Sequence, residues 1–118
     1  MEIFAENPHE RDTPVIREFF GDLEFDPGSG RVWLNGTQVQ ITSREFDLAL
    51  LLFLHLGRSV SRTLIRDVIW PGTSRTLSRT MDTHVCMIRK KLGLYPDRGY
   101  RLTSLYGYGY RLERIGRE

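Results

Sequence analysis

The segment Ser78 to Gly93, SRTMDTHVCMIRKKLG, leaves this chain few ways to fold. Wound at about 3.6 residues per turn, it gathers Met81, Val85, Ile88 and Leu92 into one narrow stripe. The opposite side carries Arg79, Thr83, Cys86, Met87 and Lys90, with Thr80, His84, Arg89 and Lys91 along the flanks. Ser78 is expected to cap the helix and Gly93 to stop it, and Lys90 and Lys91 suit the negative end of the helix dipole. A helix patterned this way must dock on a core by its stripe and turn a basic face outward.

The rest of the chain must supply that core. Thr42-Ser43-Arg44-Glu45 has the form of a capping box and starts a helix running to about Leu56, with Gly57 ending it. Phe46, Ala49, Leu50 and Phe53 form its main stripe, but Leu48, Leu51, Leu52 and Leu54 leave almost no polar side, the pattern of a helix buried between layers. Ser61 can cap a second helix bearing Leu64, Ile65, Val68 and Ile69, which stops at Trp70-Pro71-Gly72. Before these helices come short strand signals. Phe20, Leu23 and Phe25 precede the turn-rich Asp26 to Gly30, and Val32-Trp33-Leu34 meets the hairpin dipeptide Asn35-Gly36 before Val39 and Ile41. Trp33 or its neighbours are expected to cover the core. After Gly93 the pattern returns to strands, with Tyr100, Leu102 and Leu105 on one side of Tyr106-Gly107-Tyr108-Gly109 and Tyr110, Leu112 and Ile115 on the other. Arg98, Arg101, Arg111 and Arg114 decorate this hairpin, whose glycines are expected where positive φ is needed. Met1 to about Arg17, with Pro8 and Pro14, reads as a flexible leader or linker. The domain is expected over 18–115, with 116–118 a tail.

Charge is uneven. The net charge is only +2, but up to Leu56 there are four basic and ten acidic residues, and beyond it 13 and five. Any polyanion-binding surface therefore lies in the C-terminal half. The single Cys86 rules out an internal disulfide. There is no charge-free apolar run of roughly 18 residues, so no membrane contact is expected. A sheet, two helices, a basic third helix and a basic hairpin make an α+β winged helix-turn-helix, whose third helix enters the DNA major groove and whose hairpin wing, about 100–112, lies on the backbone or minor groove.

The residues carry a resemblance to a known family. Ile41-Thr42-Ser43-Arg44-Glu45-Phe46-Asp47-Leu48, Val60-Ser61-Arg62 with Leu64, and Val68-Ile69-Trp70 come first. Ser78 to Val85 running into Ile88 to Leu92, and Gly107-Tyr108-Gly109-Tyr110-Arg111, follow in order. Together they resemble the OmpR/PhoB-type effector domain of bacterial transcription regulators, over roughly Phe20 to Leu112. The resemblance implies a four-stranded N-terminal sheet and sequence-specific binding of double-stranded DNA at tandem direct repeats about 10 base pairs apart. It also implies contact with RNA polymerase through the loop 71–77, a cytoplasmic, nucleoid-associated location, and the setting of a two-component response regulator whose receiver domain would precede the leader. The chain departs from the family at Met87 and Tyr106, where arginine is common, and at Cys86, where a polar or basic residue is common.

On this reading Arg79, Thr80, His84, Arg89 and Lys91 are candidate phosphate contacts, and Lys90, Tyr106 at the wing tip and Arg111 are further candidate DNA contacts. Thr83 and Met87, one turn apart, are the base-facing pair: Thr83 can hydrogen-bond or touch a methyl, and Met87 can only pack, as on a thymine methyl. Weaker guanine preference and more reliance on DNA shape follow. Tyr110 is expected to pack across strands, whereas Tyr106 and Tyr108 could equally stack on bases or sugars. A zinc role for His84 lacks partner ligands at suitable spacing, and Asp82 and His84 do not face each other for catalysis. Cys86 could be a redox thiol or a plain surface residue. No enzyme activity, metal or cofactor is expected. The alternative function is a protein-interaction module on the same scaffold.

Overall fold

The computed structural model describes residues 17–73 and 78–116. Strands β1 (Glu18–Phe20), β2 (Leu23–Asp26), β3 (Arg31–Leu34) and β4 (Thr37–Gln38) form an antiparallel sheet in sequence order. Asn35 and Gly36, both at positive φ (55° and 85°), make the two-residue turn in which Leu34 faces Thr37. Val32 is the buried member of β3, while Trp33 is half-buried on the outer face beneath the Arg17 guanidinium, 5.3 Å from its ring.

Helix α1 (Ser43–Leu54) begins with the expected capping box: Glu45 N–H donates to Thr42 Oγ1 (3.1 Å) and Thr42 N–H to Glu45 Oε1 (3.0 Å). It ends two residues short of expectation, His55 N–H folding back onto the Leu51 and Leu52 carbonyls. The helix lies against the sheet through an aromatic cluster centred on Phe53, whose ring is 4.8 Å from Phe20, 5.3 Å from Phe25 and 5.5 Å from Tyr100. Phe46, Leu48, Ala49 and Leu52 are also buried, which accounts for the nearly all-apolar sequence of α1.

Strand β5 (Ser59–Ser61) was not foreseen. It leads into α2 (Arg62–Ile69), which Ser61 caps as expected, its Oγ accepting from Leu64 N–H at 3.0 Å. Of the four apolar residues that mark α2, only Ile65 and Ile69 are buried; Leu64 and Val68 are exposed at 37% and 52%. One α2 face touches the core, and the apolar pair one turn apart lies on the next face. Trp70 at the helix end is buried.

Helix α3 (Ser78–Leu92) buries the expected stripe Met81, Val85, Ile88 and Leu92. Ser78 is already helical rather than a cap. After a short 3-10 turn, Pro96–Arg98, strands β6 (Tyr100–Leu105) and β7 (Gly109–Arg114) form the hairpin, and β5 pairs with β7 to complete a second sheet ordered β5-β7-β6. At the hairpin tip Gly107 has positive φ (70°), as expected, but Gly109 does not. Gly109 is needed for space, since a Cβ there would lie 2.0 Å from the Val60 carbonyl oxygen. Among the described residues no helix is long and apolar enough to cross a membrane. Residues 1–16 of the leader expected over 1–17, positions 74–77 of the loop 71–77 and residues 117–118 of the tail fall outside the described residues.

Candidate nucleic-acid interface

Helix α3 is held at both ends by other elements. At its start, Arg62 Nη2 donates to the Ser78 carbonyl (3.1 Å), Ser78 Oγ (2.8 Å) and Asp82 Oδ1 (3.0 Å). The Tyr110 hydroxyl, from β7, donates to the same Asp82 oxygen, and the Arg62 guanidinium stands 5.6 Å from the Tyr110 ring. Burial pushes the Tyr110 phenol up, and the Asp82 hydrogen bond adds to it. This triangle joins α2, α3 and the wing. Local sequence patterns do not reveal it, although one signal is present: Asp82 is the only acid between Ser78 and Leu92, set among the cations of an otherwise basic helix.

At the other end Arg89 Nη2 donates to the Leu102 carbonyl of β6 (2.8 Å) and Lys91 Nζ meets Glu45 Oε1 of α1 (2.7 Å). Burial pushes the Glu45 carboxyl up, but the Lys91 hydrogen bond, the Thr42 N–H and the nearby positive charges outweigh it, so its pKa falls below the ordinary value. Arg89 and Lys91, expected among the phosphate contacts, are thus attachment points of the helix. Their charge was legible in the sequence; their partners, distant along the chain, were not.

The remaining expected residues separate by position. Arg79, Thr80, Thr83, Cys86 and Lys90 are exposed and Met87 is half-buried. Among the described residues, Arg79 and Lys90 make no side-chain hydrogen bond or ion pair. Thr83 Oγ1 donates to the Arg79 carbonyl at 2.9 Å. His84 Nδ1 donates to the Thr80 carbonyl at 2.8 Å, and its ring stands edge-on to Trp70, 5.0 Å away, so it is half-buried on the flank rather than free on the outer face. Tyr106 is fully exposed at the wing tip and Tyr108 about half exposed, whereas Tyr110 is buried as expected. Arg111 is half-buried beside Glu113, Nε to Oε2 3.6 Å, and this Nε is buried without a hydrogen bond. No group of three or more His, Cys, Asp or Glu among the described residues could hold a metal ion.

The outer face that results is cationic at its ends, Arg79 and Lys90, and uncharged between them. Comparison with known proteins fits this architecture. Residues 36–112 match the family described as "Transcriptional regulatory protein, C terminal". The chain is 35% identical over 92 residues to the transcriptional regulatory protein VxrB of Vibrio cholerae serotype O1, covering 78% of this chain and 36% of that protein. It is 29% identical over 93 residues to the alkaline phosphatase synthesis transcriptional regulatory protein PhoP of Bacillus subtilis, covering 79% and 39%. The chain thus spans little more than a third of these relatives' length. Among solved structures, the DNA-binding domain of CpxR from E. coli superposes with a TM-score of 0.75 at 26% identity, covering 86% of this chain and 99% of that one. The Klebsiella pneumoniae RstA DNA-binding domain, solved in complex with its RstA box, gives 0.69 at 27%, covering 82% and 96%. The winged helix-turn-helix and the matched segment together place the chain in the C-terminal family of transcriptional regulatory proteins, the OmpR/PhoB-type effector domains.

Proposed function

We propose that this chain binds double-stranded DNA sequence-specifically as the effector domain of a bacterial transcription regulator, with α3 in the major groove and the β6–β7 wing on the backbone or minor groove. One observation carries the reading. Helix α3 is fixed by α1, α2, β6 and β7 through its stripe and flanks, while Arg79, Thr83, Cys86 and Lys90 stand exposed on the side opposite that stripe. A rigidly mounted helix with an accessible basic face is what groove insertion requires. The structural relative bound to its DNA box has the same architecture.

Arg79, Lys90 and Thr80 are the phosphate contacts in this reading, and Tyr106 and Arg111 are the DNA contacts of the wing. Thr83 and Met87 face the bases. We further propose tandem direct repeats as the target, a receiver domain ahead of residue 18 in a two-component response regulator, a polymerase contact through 71–77, and a cytoplasmic, nucleoid-associated location. Family membership is what supports these further readings. Selection from random duplex DNA tests binding, specificity and repeat spacing together: an enriched motif in two copies about 10 base pairs apart is expected, and a chain that enriches no duplex is not a DNA-binding regulator.

A further inference from the structure

We infer that the centre of α3 selects pyrimidines carrying a C5-methyl group, reading the methyl rather than the hydrogen-bonding edge of the base. The inference rests on the proposed placement of α3 in the major groove. Arg79 and Lys90, eleven positions apart on the outer face, are separated by about 16 Å of helix axis, which sets a cation at each end of the stretch facing the groove. The side chains between them on that face are Thr83, Cys86 and Met87.

A threonine hydroxyl has one proton to donate. In Thr83 that proton is committed to the Arg79 carbonyl at 2.9 Å. The hydroxyl therefore has no donor left for guanine N7 or O6, for adenine N7 or for thymine O4, and it retains only acceptor capacity. What Thr83 offers a base freely is its γ-methyl. Met87, one turn on, offers a thioether and methyl, and Cys86 beside it a thiol that donates only weakly. Three soft, nearly uncharged groups in a row give a donor–acceptor pattern little to read. A C5-methyl projecting into the major groove gives them an apolar partner. Thymine carries that methyl; cytosine acquires it when methylated at C5, so 5-methylcytosine and thymine should look alike to this face.

The test uses the full chain and a duplex recovered from random-sequence selection. That duplex is resynthesised with 2′-deoxyuridine replacing thymidine one position at a time, and separately with cytosine or 5-methylcytosine at each thymidine position. At the positions under α3, deoxyuridine is expected to weaken binding roughly four-fold per methyl removed, and 5-methylcytosine to bind more tightly than cytosine by a similar factor. Thr83→Val, which keeps the methyl and loses the hydroxyl, should retain the selected sequence; Thr83→Ser, which does the reverse, should lose its thymine preference. Thr83 is exposed, so both variants should fold, which circular dichroism checks. Tight binding that is indifferent to deoxyuridine, or a Thr83→Val protein that loses the site, overturns the methyl reading and leaves DNA binding standing. Failure to enrich any duplex removes both.

Discussion

Asp82, in the first turns of α3, accepts a hydrogen bond from Tyr110 on the wing strand β7, so helix α3 and the wing share one carboxylate. Arg62 completes the arrangement from α2, 3.0 Å from the same oxygen. The three side chains act as one joint, and their contributions should not add. Alanine at Arg62 and at Asp82 should show a coupling of about 0.5–3 kcal/mol in a double-mutant cycle read by urea denaturation. Additive losses would mean that the ion pair contributes nothing of its own. Tyr110→Phe, which keeps the ring and removes the donor, should cost about 1.5–3 kcal/mol because the acceptor is ionised.

Two glycines at the wing should respond differently to alanine. At Gly109 the added carbon would meet the Val60 carbonyl at 2.0 Å, backbone against backbone, where β5 and β7 pair. Gly109→Ala should therefore cost at least about 1–3 kcal/mol and lower the melting temperature accordingly. At Gly107 nothing lies within 4 Å, and only the positive φ of 70° is strained. Gly107→Ala should cost about 1–2 kcal/mol and leave the β5–β7 pairing intact by hydrogen exchange.

The Glu45–Lys91 pair ties α1 to α3 and gives stability a defined pH dependence. The folded-state pKa of Glu45 is depressed, so its contribution is fully present above the unfolded value of about 4.3 and is lost as pH falls through the folded value. Glu45→Gln should lower stability at pH 7 by about 1–3 kcal/mol and flatten the acid limb of the stability curve below pH of about 4.3. An acid limb unchanged by the substitution would place the titration elsewhere.

Much of this architecture was legible in the sequence because it is written in local patterns. The Thr42–Glu45 capping box, the Asn35-Gly36 turn and the Met81, Val85, Ile88, Leu92 stripe each depend on residues within a few positions of one another. What escaped was long-range. Strand β5 has one buried apolar residue, Val60, and exists because β7 pairs with it about fifty positions later. Leu64 and Val68 repeat at helical spacing, yet periodicity identifies an apolar face without saying whether anything packs on it. Arg89 and Lys91 are flank cations of the same helix, and their contacts with Leu102 and Glu45, distant along the chain, set them further apart from Arg79 and Lys90 than helical spacing alone does.

That separation allows the most direct test of the account, the salt dependence of binding to random duplex DNA. The slope of log affinity against log salt falls by about 0.9 for each phosphate contact removed. Arg79→Ala and Lys90→Ala should each flatten the slope by about that amount, with little change in stability. Lys91→Ala should lower stability and leave the slope as it is. A wild-type chain with no measurable binding at low salt, or a slope that Lys91→Ala changes and Arg79→Ala does not, would contradict the placement of α3 on DNA.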